Sequence, residues 1–353
     1  MPLIQNNSLP TFARLKEQGH LVLDLERTSH QDIRELHIGF LNLMPDAAVE
    51  ATERQFFRLI GESNSIVQIH IHPFTLPVIQ RSAETQAYLD QYYESFEDLK
   101  SQGLDALVVT GANEETNPHV SDESWWEPLK EVLAWARENV TSTLCSCLAS
   151  HAALTYAYGE EPAWQDNKRW GVFRHKVTDP IHPIVKNMNT VFDVPHSRYS
   201  EISRAQFEKA GMRILVESPN AGVHLATSKD GLRLICFQGH PEYDLFSLLK
   251  EYKREVHNFV EGVRSDYPPF PDHYFNEQAK EIANFYRNKI LASEAKDLTF
   301  PEEEIAAHLE NSCADSARSA VSGWIGLVYQ VTHIDRKKPF MDGVDPENPL
   351  GIL

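Results

Sequence analysis

The 353-residue chain predicts an α/β fold: a mostly parallel sheet flanked by helices on both faces, with a C-terminal extension. Three observations predict it. Leu36–Leu43, Leu104–Gly111 and the strand around Leu144 are short, almost wholly apolar runs, the composition of strands buried on both faces. Segments of helical period separate them. Two further segments, Ser142–Leu154 and Leu234–Tyr243, each read as a buried strand that delivers reactive side chains at its end.

The elements follow in order. Leu36–Leu43 ends at Pro45; Val49–Ile60 is then helical, and an alternating strand lies near Ile66–Ile71. Glu84–Lys100 reads as one acidic helix, and Leu104–Gly111 as the next strand. Trp126, Leu129, Val132, Leu133 and Ala136 recur at helical spacing. The Leu144 strand then turns into a helix over Cys147–Tyr158, stopped at Gly159. From about 165 to 230 the rhythm changes: Thr190–Val194, Met212–Val216 and Val223–Thr227 are short strands without long helices between them, as in an antiparallel addition to the sheet. A helix over Asp244–Glu261 follows, then a proline-rich loop at Ser265–Pro271, two helices, and a strand-like Trp324–Val331. The simplest division is an N-terminal arm (1–35), a catalytic α/β domain (36–264) and a C-terminal extension packed on it (265–353).

Composition narrows the function classes. The chain is 42% hydrophobic and 24% charged, ordinary for a globular protein with a sizeable core. A net charge of −18 argues against nucleic acid and anionic membrane as partners. No run approaches the ~20 apolar residues of a membrane span. Met1–Arg14 lacks the basic and apolar blocks of a secretion signal. Four cysteines (145, 147, 236 and 313) are no disulfide framework in a chain this long, and a reducing cytoplasm is expected.

The reactive groups converge on covalent acyl transfer. A cysteine between a strand and a helix sits at the carboxyl edge of a parallel sheet and at a helix N-terminus, which favours a thiolate and an oxyanion. Cys147 suits that place better than Cys145, which strand residues flank; both read equally as small buried hydrophobes. His240 and Glu242 share one face of an extended backbone, so the carboxylate can orient the imidazole. His151, one helical turn beyond Cys147, is a rival base or a core histidine. Cys145-x-Cys147 matches no structural zinc spacing, and His70-Ile71-His72 reads as a solvated strand face, so no metal is expected.

The residues Leu41–Pro45, Val109–Ala112, Thr141–Leu144 leading to Cys147, Pro195–Tyr199 and Gly239–Asp244 stand in one order over most of the chain. In these the sequence resembles the homoserine O-succinyltransferase/O-acetyltransferase family, on a class I glutamine-amidotransferase-like, flavodoxin-like fold. The resemblance implies no bound cofactor and acyl-CoA (succinyl-CoA or acetyl-CoA) as co-substrate. Cys147 would take the acyl group as a thioester in a ping-pong mechanism. The hydroxyl of L-homoserine would then attack, with His240 as base and Glu242 orienting it, in methionine biosynthesis. The family's substrate-binding residues fall on Lys168, Ser197 and Arg254, and a homodimer is implied. Arg254 also reads as a helical ion pair with Glu251.

Several positions depart from the family pattern. Asp46-Ala47 stand where two lysines are usual, and Leu148 and His151 replace tryptophan and glutamine. Asn113-Glu114-Glu115 occupies the region that sorts acyl donors. A buried Glu115 or Glu114 would repel the free carboxylate of succinyl, which favours acetyl-CoA. The reading is therefore a homoserine O-acyltransferase. The alternatives are an O-acyltransferase acting on serine or another hydroxy amino acid, and a Cys-His-Glu amidotransferase-like hydrolase.

Overall fold

The structure is a computed structural model that describes residues 3–20, 22–28, 34–64, 66–112, 119–292 and 299–353. The chain opens with β1 (Leu3–Gln5), α1 (Pro10–Glu17), β2 (Val22–Asp24) and α2 (Leu25–Thr28). The α/β repeat follows: β3 (Glu35–Leu41), α3 (Val49–Glu62), β4 (Gln68–Phe74), α4 (Ala83–Tyr92), α5 (Phe96–Gln102), β5 (Ala106–Val109), α6 (Trp126–Asn139), β6 (Ser142–Ser146) and α7 (Leu148–Tyr158). Next come β7 (Ala163–Val177), β8 (Val191–Glu201), α8 (Arg204–Lys209), β9 (Arg213–Ser218), β10 (Gly222–Thr227), β11 (Leu234–Phe237) and α9 (Ser247–Val260). The tail holds α10 (Glu277–Leu291), α11 (Glu302–Ala306) and α12 (Ala314–Val331).

Among the described residues the strands form one 11-stranded sheet in the order β2-β1-β4-β3-β5-β6-β11-β10-β9-β7-β8. From β2 to β11 neighbours run parallel; from β11 outward they run antiparallel. The expected α/β class and the antiparallel addition are both present. The segment expected as an N-terminal arm supplies β1 and β2, which extend the parallel edge, while Phe12 and Leu15 of α1 pack into the main core.

Two expectations are corrected. Glu84–Lys100 is not one helix: Tyr93 is extended, and Ser95 caps a new helix by accepting from Asp98 N–H. Trp324–Val331 is not a strand but the second half of α12. Its apolar residues belong to the helical stripe Ala320, Val321, Trp324, Ile325, Val328 and Val331, buried in the same core as α3. Trp324 Nε1 donates to Ser142 Oγ at 2.8 Å, anchoring the tail under β6. None of the described helices is long and apolar enough to cross a membrane.

Candidate active site

β6 and β11 lie side by side, with Ser146 in register with Phe237. The ladder continues past both strands, where Cys147 N–H donates to Phe237 O at 2.7 Å. Adjacent strand ends thus bring the two reactive segments together at the carboxyl edge of the sheet.

Cys147 occupies the turn from β6 into α7 with φ 52° and ψ −119°. Such a conformation costs a non-glycine residue ~1–3 kcal/mol, and the surrounding packing imposes it. Ser150 Oγ lies 2.8 Å from Cys145 O and 2.9 Å from Phe237 O, tying the first turn of α7 to both strands. Gly111, at the end of β5, borders the thiol: a Cβ there would meet Cys147 Cβ at 3.4 Å.

His240 follows β11, held by its N–H to Pro195 O at 2.9 Å. Its Nδ1 is 2.8 Å from Glu242 Oε1, and Glu242 Oε2 accepts from Ser146 Oγ at 3.3 Å. The Tyr243 ring stacks on the imidazole at 4.1 Å. His240 Nε2 is buried without a conventional hydrogen bond among the described residues, and the Cys147 thiol is the group near enough to act on it. Burial alone would lower the proton affinity of His240. Cys147 and Glu242 outweigh burial and raise it well above the ordinary histidine value.

The rivals are placed differently. Cys145 lies within β6, fully buried, and burial pushes its thiol up to about 12. His151 is buried, donates from Nε2 to Gln238 Oε1 at 2.9 Å, and is pushed down to about 3 by burial and Arg198. It is a neutral core histidine.

A second cluster adjoins the first. The buried Glu251 carboxylate on α9 accepts from Lys168 Nζ at 3.1 Å, Ser197 Oγ at 2.6 Å and Tyr243 Oη at 2.6 Å. Burial would raise its pKa, but Lys168, the two hydroxyls and His240 hold it below the ordinary range. Lys168 also lies over the Trp170 ring at 4.9 Å. Lys168 and Ser197 are therefore brought together, and Tyr243 joins them to His240. Arg254 stands apart: its side chain is 59% exposed and faces Glu255 at 3.4 Å. The helical pair with Glu251 does not form. Glu114 and Glu115 lie outside the described residues.

Sequence reasoning missed Glu251 as an organiser. Its signal was an acid among Leu248, Leu249 and Tyr252, on the buried side of α9. Arg198 was also missed; its guanidinium is fully buried, donates to Ser200 O at 2.7 Å and Ala221 O at 2.8 Å, and is electrostatically coupled to Cys147. Of the departures, Asp46 is a surface fixture that accepts from Ser82 N–H at 2.7 Å, while Leu148 is buried at the start of α7.

The profile of the family described as Homoserine O-succinyltransferase matches residues 2–334. A homoserine O-succinyltransferase of Methylobacter tundripaludum is 54% identical over 355 residues, covering 100% of both chains. One of Allochromatium vinosum is 56% identical over 355 residues, covering 100% of this chain and 99% of its own. Among solved structures, a glutamine amido transferase from Methylobacillus Flagellatus is 13% identical, with a TM-score of 0.45, over 84% of this chain and 95% of that one. By the profile and by full-length identity above one half, the chain belongs to the homoserine O-succinyltransferase family.

Proposed function

We propose that the chain transfers the succinyl group of succinyl-CoA to the side-chain hydroxyl of L-homoserine by a ping-pong route through Cys147. The observation that carries this reading is a cysteine on a strained strand-to-helix turn beside a buried imidazole that a carboxylate orients. His240 holds the proton that Cys147 gives up. Cys147 Sγ attacks the acyl carbon, and the developing oxyanion meets the backbone N–H groups and the positive end at the start of α7. The carbon–sulfur bond to CoA breaks, and the CoA sulfur leaves with the proton from His240.

Acylation then resets the base. The thioester carries no charge, so the upward push of Cys147 on His240 disappears while burial still lowers it. His240 becomes a neutral acceptor, still aligned by Glu242. The homoserine hydroxyl gives it a proton and attacks the thioester, and Cys147 leaves as thiolate. Lys168 and Ser197, set by Glu251, meet the amino-acid portion of the acceptor, and Arg254 at the rim meets a carboxylate. The names of the relatives favour succinyl-CoA as donor over acetyl-CoA.

CoA release by purified protein tests the reading, with succinyl-CoA or acetyl-CoA crossed against homoserine, serine and no acceptor. Homoserine-dependent release with succinyl-CoA is expected. Cys147→Ala removes both release and acyl labelling, whereas Cys145→Ala keeps them. Release without acceptor would make the chain a hydrolase, and a preference for serine or acetyl-CoA would overturn the stated substrate.

A further inference from the structure

At the amino ends of β3 and β4, opposite the Cys147 edge, Glu35, His37, His70 and His72 share one face of the sheet, with His37 in register with His70. The solvated strand face expected for His70 and His72 is not what forms; both are more than nine-tenths buried. The hydrogen bonds are compatible with a tautomer that frees His37 Nε2 as a ligand. Glu94 is acceptor-only, so His72 Nδ1, 2.7 Å from Glu94 Oε1, is the donor. In that tautomer His72 Nε2 accepts from His37 Nδ1–H at 2.8 Å. His37 Nε2 is then a bare lone pair, 3.4 Å from Glu35 Oε2. His70 Nε2, buried and with no hydrogen-bond partner among the described residues, lies 3.6 Å from the same oxygen.

One ligand atom from each of Glu35, His37 and His70 thus lies within 4.8 Å of the other two. Ligands at ~2.0–2.1 Å around a tetrahedral ion are ~3.3–3.4 Å apart, close to the two carboxylate–imidazole separations. The parallel rings of His37 and His70, with centroids 4.5 Å apart, need only lean together to close the third edge. We propose that Glu35, His37 and His70 form a binding site for a divalent transition metal of the zinc class, with Glu94 and His72 orienting His37 from behind. The fourth position opens to solvent past Glu35, which is 47% exposed. Arg336 acts on His37 and His70 and opposes a cation; Glu35 in the site and Glu94 behind it supply the offsetting charge. The ion would staple β3 to β4 and is remote from the transfer chemistry.

The test titrates the full chain carrying Cys147→Ala, so that the active-site thiol holds no ion, with Co²⁺ as a spectroscopic probe and Zn²⁺ as competitor. One Co²⁺ per chain is expected, with the spectrum of nitrogen and oxygen ligands and no thiolate charge transfer. Adding Glu35→Gln, a change at a half-exposed side chain that leaves the fold intact, weakens binding at least ~10-fold, and Glu94→Gln weakens it ~10–100-fold. Zn²⁺ raises the melting temperature of the Cys147→Ala protein but not of its Glu35→Gln derivative. No binding in excess Co²⁺, a thiolate spectrum, or affinity unchanged by Glu35→Gln each overturns the site.

Discussion

The two ends of the parallel sheet both carry histidines beside carboxylates, and they treat protons in opposite ways. At the carboxyl end, His240 is buried but faces Cys147 and Glu242, which together raise its proton affinity. At the amino end, His37 is buried among His70, His72 and Arg336, and its proton affinity collapses. Burial penalises the charged imidazole in both places; the sign of the neighbours decides the outcome. A histidine with acids around it becomes a proton carrier, and one with cations and imidazoles around it becomes a lone-pair donor. The same contrast separates two buried glutamates. Glu251 has Lys168 and stays ionised, whereas Glu53 has, among the described residues, the hydroxyls of Thr11, Tyr88 and Tyr93 and is pushed up to about 7 by burial.

The contrast breaks most visibly at His240. His240→Asn is expected to lower kcat by ~10²–10⁴, the usual range for a general base. His151→Asn, which keeps a polar partner for Gln238, is expected to cost less than ~10-fold in the same CoA-release assay, because His151 is a neutral core residue. Equal losses would mean that His240 is not the proton carrier.

A smaller effect sharpens the role of Glu251. Glu251→Gln leaves Lys168 without its counter-ion and Ser197 with a weaker acceptor, so kcat/KM for homoserine should fall ~10–100-fold, mostly in KM. The KM for the acyl donor should move little. A loss confined to kcat would place Glu251 with the base instead of with the acceptor.

The smallest effect is on stability. The folded chain keeps a proton on Glu53 that the unfolded chain releases from about pH 4.3 upward. The contribution of Glu53 to stability therefore falls as pH rises from there to about 7, by on the order of 3 kcal/mol, and is flat beyond. The difference in urea midpoint between the parent and Glu53→Gln, measured from pH 4.5 to pH 8, should shift against the parent by that amount, since the buried neutral histidines act alike in both. A difference that stays constant or moves in favour of the parent over this window would mean Glu53 is ionised and paired.

The sequence by itself determined the α/β class, because fully apolar strands and helical periods are local patterns. It also determined the strand-to-helix turn at Cys147: a strand, Cys147 and a helix ending at Gly159 require only neighbours along the chain, as does the His240–Glu242 alternation. It did not determine the break within Glu84–Lys100, where a serine cap outweighed a continuous polar pattern, nor the helix over Trp324–Val331, where burial against α3 outweighed strand propensity. Only the tertiary structure decided which charged groups face each other. Glu251 meets Lys168 and not Arg254 because β7, β8 and α9 cross at that point, and His37 meets His70 because β3 pairs with β4 in that register. Proton affinities follow from such long-range neighbours and from burial. Neither is written in local sequence.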